Sequence, residues 1–512
     1  MTDSPLLPAG TTLWISGARV LLPDSDWHAP AMADIAIQDD RILAVAPRFE
    51  PRPGAPAPER LDARGHLVIP GFVNAHYHSH DVLAKGTLEQ VPLEQWRLYA
   101  LPAQYPPRSL EEVRARTLLG ALECLRSGMT TVQDMLTLYP FDPAHLDTVL
   151  QAYEDVGIRV VFSLQYGDRK GLDTVPYWKD IFPAEYHHLL SSAAEPEKRF
   201  DLLGHFEETC LKAPAKARRH WALGPSAPER CTPELMARTV DLAKRYDIPV
   251  YSHIYESKGM ALQARLELQQ YGGSLIRRLH AEGCLGPHMN FAHSVWLAPD
   301  EIEILAETGA GTVLNPQGNL KMQCGLPPIK ALMRAGVRIG LGCDNCSCSD
   351  AQNMYAAMKL FSLLATVSEF RKGPPPAMEA MKAATEGGAA GARLGHLIGK
   401  IAPGYKADLS IVDLADPSFV PLNSVVRQLV NIEGGRAVRH VMVDGEWVIR
   451  DRKFTTVDEA AIFDEVEAVM PTFRKDFADI GARVAMLQPW LDQAQEKMHA
   501  SDVGIERLPR LS

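Results

Sequence analysis

Between about Leu67 and Ala402 the chain alternates short apolar runs of β-type with stretches of helical period. This alternation restricts the fold more than any other feature, because successive βα units lay down a parallel sheet. Eight runs read as strands: Leu67 to Ala75, Thr130 to Asp134, Arg159 to Leu164, Trp221 to Pro225, Ile248 to His253, Met289 to His293, Gly311 to Asn315 and Val337 to Cys343. Eight is the number at which such a sheet closes into a (β/α)8 TIM barrel. The usual length is about 250 residues, so insertions absorb the rest, the largest being Gly171 to Arg219.

The flanks read differently. Thr12 to Val20, Ala33 to Gln38 and Arg41 to Ala46 are β-rich, and a Pro/Gly-rich connector follows them. The pattern returns in Ala407 to Asp413 and in Val438 to Arg450, which carries an Asp444-Gly445 hairpin turn. Residues 1–66 with 403–455 are therefore expected to form one small composite β-sandwich domain around an α/β barrel of residues 67–402. From Val457 onward Ile462, Val466, Val469, Phe473, Phe477, Ile480, Val484 and Leu487 recur at steps of three or four. That period predicts a C-terminal helical extension over 456–512, kinked or divided at Pro471, packing on the barrel or on a second subunit.

Composition narrows the partners. With 53 Lys and Arg against 63 Asp and Glu the net charge is −10, and no long basic block appears, so neither nucleic acid nor an anionic membrane is an expected partner. No run of eighteen apolar residues occurs, and the first residues lack a basic, then apolar, secretory leader. Eight cysteines in 512 residues are too sparse for a disulfide framework. The expectation is a cytoplasmic homo-oligomer acting on a small-molecule substrate.

The chemistry gathers at the ends of the predicted strands. His76 and His78 close the first; residues two apart on a strand point the same way, so both imidazoles face inward at the C-terminal mouth, where barrel enzymes keep their active sites. A lone H-x-H is a weak signal. Here, however, His253 ends strand five with Glu256 three residues on, His293 ends strand six, and Asp344 follows strand eight. Three histidines and a carboxylate can hold a first-row divalent ion and leave a position for water. Cys343, Cys346 and Cys348 offer a C-x-x-C spacing, but no fourth ligand is suitably placed for a thiolate zinc knuckle. His80 extends the run to H-x-H-x-H, and its loop position suggests a substrate-facing or solvated role. A Rossmann site is excluded because Gly309-Ala310-Gly311 lacks the third glycine and precedes its strand.

The runs VIPGFVNAHYH (68–78), PLEQW (92–96), LECLRSGMTTVQD (122–134), HIYE (253–256), AHSVW (292–296), NPQGN (315–319), LGCDNCSCSD (341–350) and IGKIAPGYKADLSIVD (398–413) resemble the amidohydrolase superfamily. The resemblance is to its aminohydrolase and chlorohydrolase branch, which includes cytosine, guanine and S-adenosylhomocysteine deaminases and triazine hydrolases. It implies a metal-dependent hydrolase in which His76, His78, His253 and Asp344 bind the metal while Glu256 and His293 act on the substrate and water, Asp344 also taking a proton. Two-metal members carry a lysine at the end of strand four. Here that strand reads Trp221-Ala222-Leu223-Gly224-Pro225, so one ion is expected, Zn2+ ahead of Fe2+.

Leu314 stands before Asn315-Pro316 where many family deaminases have a histidine. One polar contact of that branch is therefore expected to be missing, and the mouth reads as largely apolar, lined by Leu88, Val91, Trp96, Tyr99, Leu101, Tyr105, Tyr166, Trp296, Leu314 and Met322, with Asn345 and Cys348 as modest hydrogen-bonding groups. Trp96, Tyr166, Asn345 and Cys348 are the candidate substrate contacts. The expected reaction is hydrolysis of a nonpeptide C–N bond, with deamination of a substituted N-heterocycle ahead of amide, urea or carbamate cleavage and of triazine dechlorination. A non-catalytic binding barrel is the remaining class, disfavoured because every ligand position is filled.

Overall fold

The computed structural model describes residues 4–102, 106–138, 141–190, 201–214, 216–368 and 373–508. Eight parallel strands form a ring. The first four are Phe72–His78, Met129–Leu136, Arg159–Tyr166 and a short fourth around Gly224–Pro225; the last four are Val250–Ile254, Met289–His293, Gly311–Leu314 and Ile339–Leu341. The fourth and fifth join through a bridge between Leu223 and Val250. Asp344–Asn345 pairs in parallel with Tyr77–His78 and closes the ring. The helices outside begin at side-chain caps, for example Thr232 accepting from Leu235 N and Ser257 from Met260 N.

The run from Leu67 is two strands rather than one. His66–Pro70 pairs antiparallel with Leu409–Asp413 in a nine-stranded sheet built from both ends of the chain, and only Phe72–His78 enters the barrel. Gly71 makes the switch. Its N–H donates to Asp408 O while Phe72 N already donates to Gly128 O, and a Cβ on Gly71 would run into Thr130. The end sheet wraps a core that includes Ile15, Val20, Ile35, Val68, Leu409, Ile411 and Met442. Its Asp444-Gly445 turn has φ of 54° and 79°, the pair of positive angles that a two-residue hairpin of this type requires.

The C-terminal helix, Glu459–Ala500, is not divided at Pro471; it runs through both Pro471 and Pro489. Each proline sits on the exposed face, so the carbonyl it leaves without an N–H donor is open to water. The buried stripe, including Ile480, Val484, Leu487, Leu491 and Met498, packs on this chain's own barrel helices Leu93–Ala100 and Leu110–Arg126. Lys258 Nζ donates to His499 O at 2.6 Å at its far end. None of the described helices is long and apolar enough to cross a membrane.

End sheet and barrel are riveted by Arg159, 1% exposed at the start of the third strand. Its Nη2 donates to Asp408 Oδ1 at 3.0 Å and to Asp444 Oδ1 at 3.2 Å, and its Nη1 to Ala217 O at 2.8 Å. Removing one member of a buried ion cluster leaves the others uncompensated. Arg159→Met should therefore lower stability by about 3–5 kcal/mol, measured by urea unfolding of the metal-loaded protein.

Candidate active site

His76, His78, His253, His293 and Asp344 converge inside the C-terminal mouth, all buried. His76 Nε2 lies 3.2 Å from His78 Nε2, and Asp344 Oδ1 lies 3.5 and 3.7 Å from those two nitrogens. His253 stacks on His78 with ring centres 5.4 Å apart, and His293 Nε2 is 3.9 Å from Asp344 Oδ2. Two groups of metal-ligand type result, His76 with His78 and His253, and His76 with His293 and Asp344, the donor atoms of each within 4.8 Å of one another.

Backbone carbonyls fix the tautomers. His78 Nδ1 meets Met135 O at 2.6 Å and His253 Nδ1 meets Ser226 O at 2.5 Å. A carbonyl only accepts, so each Nδ1 carries the hydrogen and each Nε2 turns a lone pair inward. Asn319 Oδ1 takes His293 Nδ1 in the same way, at 2.8 Å. Burial holds all four imidazoles neutral: it pushes His78 down to about 4 and lowers His76, His253 and His293. His293 Nε2 and Asp344 Oδ2 have no hydrogen-bond partner although buried. Inward lone pairs a few ångströms apart in a dry site repel one another unless a cation lies between them, so this donor set fits a divalent metal ion.

The local backbone is built for that convergence. His293 and Asp344 adopt φ of 72° and 63°, left-handed values that cost non-glycine residues about 1–3 kcal/mol and that cluster at functional sites. Gly342 lets strand eight approach His76, whose Cβ would stand 2.7 Å from a Cβ there. Asp81, which sequence reasoning missed, accepts from Cys346 N at 3.1 Å, from Ser347 N at 3.2 Å and from the Ser347 hydroxyl, and so clamps the loop after strand eight to the loop after strand one.

Glu256 stands beside this cluster, Oε1 3.5 Å from His293 Nδ1. Burial pushes its carboxyl up to about 8, against the pull of Arg230, so it is protonated at neutral pH. Burial also raises Asp344 to about 6, opposed by His293.

The expected substrate contacts divide. Cys348 lies beside Asp344 and hydrogen-bonds Asn345 O at 3.2 Å; Trp96 packs in the same apolar cluster with Met260 and Met322 and donates Nε1 to Ser347 Oγ at 2.8 Å. Asn345 Nδ2 is 3.5 Å from His80 Nε2, and His80 is buried against His78 rather than solvated. Tyr166 does not join them: its hydroxyl bonds Thr239 Oγ1 at 2.9 Å on the helix Pro233–Tyr246 packed outside the strands. Tyr99 likewise turns to Phe477 of the C-terminal helix, Trp296 gives its Nε1 to Cys324 O, and Tyr105 lies outside the described residues. Beside the apolar residues, the electrostatic surroundings of Glu256 include Arg230, Glu94, Arg97 and Glu229, charged groups that strand-end reasoning could not place.

The amidohydrolase family model matches residues 67–448. The chain belongs to the amidohydrolase family. This amidohydrolase is 31% identical over 434 residues to a 5-methylthioadenosine/S-adenosylhomocysteine deaminase of Pyrococcus furiosus, covering 85% of this chain and 94% of that one. It is 29% identical over 454 residues to a 5'-deoxyadenosine deaminase of Methanosarcina mazei, covering 88% and 96%. Among solved structures it is similar to a zinc-bound adenosine deaminase of Xanthomonas campestris, with TM-score 0.76, 26% identity and coverage of 92% and 100%. A triazine hydrolase of Arthrobacter aurescens shares the fold, with TM-score 0.77, 23% identity and coverage of 90% and 100%. The chain is thus an enzyme acting on nonpeptide C–N bonds.

All eight cysteines are free and buried, and burial raises the Cys343, Cys346 and Cys348 thiols. They are inert thiols rather than thiolate ligands. An aromatic disulfide reagent should label the native amidohydrolase slowly and titrate all eight after unfolding; rapid native labelling of the 343–348 loop would contradict the packing.

Proposed function

We propose that this amidohydrolase deaminates a substituted N-heterocycle, replacing an exocyclic amine by oxygen with release of ammonia. The observation that carries the reading is the buried carboxyl of Glu256, 3.5 Å from His293 Nδ1, beside the cluster of His76, His78, His253 and Asp344. The relatives named as deaminases of adenosine-type compounds support it.

His76, His78 and His253 with Asp344 would hold one zinc ion. No lysine stands on strand four to bridge a second, and iron is the alternative. Such an ion supplies Lewis acidity, bringing the pKa of a water from about 15.7 toward about 7. The chain's own residues do the rest. Asp344 takes a proton from the attacking water. Glu256, neutral until needed, gives its proton to the departing nitrogen, a role typically worth about 10²–10⁴-fold. His293, oriented by Asn319, faces Asp344 with Nε2 and holds the water and the attacked substituent in register. The balance is complete: the exocyclic amine and water become an exocyclic carbonyl and ammonia, and the proton taken by Asp344 replaces the one Glu256 gave.

Zinc-loaded protein should release ammonia from substituted aminoheterocycles. Glu256→Gln should keep the metal and lose at least about a hundredfold in kcat, whereas Asp344→Asn should lose both metal and turnover. Elemental analysis and ammonia release on the same samples decide it. Amine release from ureas, amides or carbamates without ammonia from any heterocycle would replace the deaminase reading with the hydrolytic alternative.

A further inference from the structure

Asp344 is aimed by its backbone. Among the described residues no hydrogen bond reaches its Oδ2, and its φ of 63° is a left-handed value that the surrounding structure must impose. Two buried amides hold that backbone: Asn74 on the strand Phe72–His78, and Gln352 in the segment before the helix Met354–Ser368. They are 0% and 2% exposed.

The orientation of both amides follows from one fixed donor. The backbone N–H of Cys343 can only donate, so Asn74 meets it with Oδ1, at 3.0 Å. Asn74 Nδ2 is thereby turned to Gln352, whose Oε1 accepts at 2.9 Å. Gln352 Nε2 is left to donate to the carbonyl of Asp344 at 2.8 Å, with Cys346 Sγ at 3.5 Å for its other hydrogen. Turning over either amide, or both, would set oxygen against oxygen or N–H against N–H, so the network has one arrangement. It starts at the peptide before Cys343 and ends at the peptide after Asp344, and so grips the metal-facing residue from both sides. Glu123 Oε2 accepts from Gln352 N at 3.4 Å and ties the bracket to the helix Leu110–Arg126.

We propose that Asn74 and Gln352 are positioning residues for Asp344. Their paired amides maintain the left-handed backbone that points its carboxylate at the metal and the attacking water, and so they set metal affinity and turnover through Asp344 rather than by contact with the substrate. A buried polar network whose members are all satisfied specifies a single geometry, and the partners behind a metal ligand are typically worth about 10–100-fold. This inference rests on the reading of Asp344 as a metal ligand and proton acceptor.

The test uses the full-length protein. Gln352→Met keeps the length of the side chain and removes its hydrogen bonds. Its zinc Kd, from competition with a chromophoric chelator, should rise at least about tenfold. The visible absorption of the Co2+-substituted protein, which reports coordination geometry, should change with it. In ammonia release kcat should fall by a similar factor with KM little changed. Arg159→Met is the control for stability alone: it breaks the rivet at the start of the third strand and should leave zinc Kd and the Co2+ spectrum as in the wild type. Should Gln352→Met not fold, Gln352→Asn, one methylene shorter and unable to span from Asn74 to Asp344, should move both readouts in the same direction. Wild-type zinc Kd and an unchanged Co2+ spectrum in the folded variant would overturn the positioning role. If Asp344→Asn also keeps wild-type zinc Kd, the reading of Asp344 as a ligand fails with it; loss of zinc in Asp344→Asn alone confines the failure to Asn74 and Gln352.

Discussion

The barrel closes where Asp344–Asn345 pairs with Tyr77–His78, and that one pairing also delivers the carboxylate to the imidazoles. Register is strict on a strand, since a one-residue slip sends every side chain to the opposite face. Were the seam to slip, His76 and His78 would face the outer helices and Asp344 would leave them. The supports around the seam follow from this demand. Gly342 permits the close approach, Asp81 ties the two loops together, and Asp344 accepts a left-handed backbone to aim its carboxylate inward.

The electrostatics of the mouth follow from burial. Four neutral imidazoles with inward lone pairs form a preorganised acceptor set, and the carbonyls of Met135 and Ser226 with the amide of Asn319 fix which nitrogen faces in. The same burial that favours a cation at the centre raises the pKa of the Glu256 carboxyl. Beyond them the wall is mixed. Trp96, Met260 and Met322 make an apolar side, and Arg97, Arg230, Glu94 and Glu229 a charged one.

The residues that end strands were legible in the sequence because a strand's period and a barrel's polarity together determine where they point. His76, His78, His253, His293 and Asp344 come together for that reason. The division of the run from Leu67 was less legible, because both halves are apolar strands and only a contact with Asp408, more than three hundred residues away, separates them. The helix through Pro471 and Pro489 eluded a local rule, since solvent accepts the carbonyls that a buried proline would have orphaned. Tyr166 shows a further limit: it sits at a strand end, yet Thr239 on an outer helix captures its hydroxyl. The charged wall depends on where a helix lands over the mouth, and periodicity does not encode that.

The central claim is that imidazole nitrogens and one carboxylate, without thiolates, hold a single ion. X-ray absorption at the metal edge of the active protein tests it directly. The account predicts a first shell of nitrogen and oxygen at about 2.0–2.2 Å with histidine scattering and no metal neighbour. A sulfur shell at about 2.3 Å, or scattering from a second metal at about 3.5–4 Å, would contradict it.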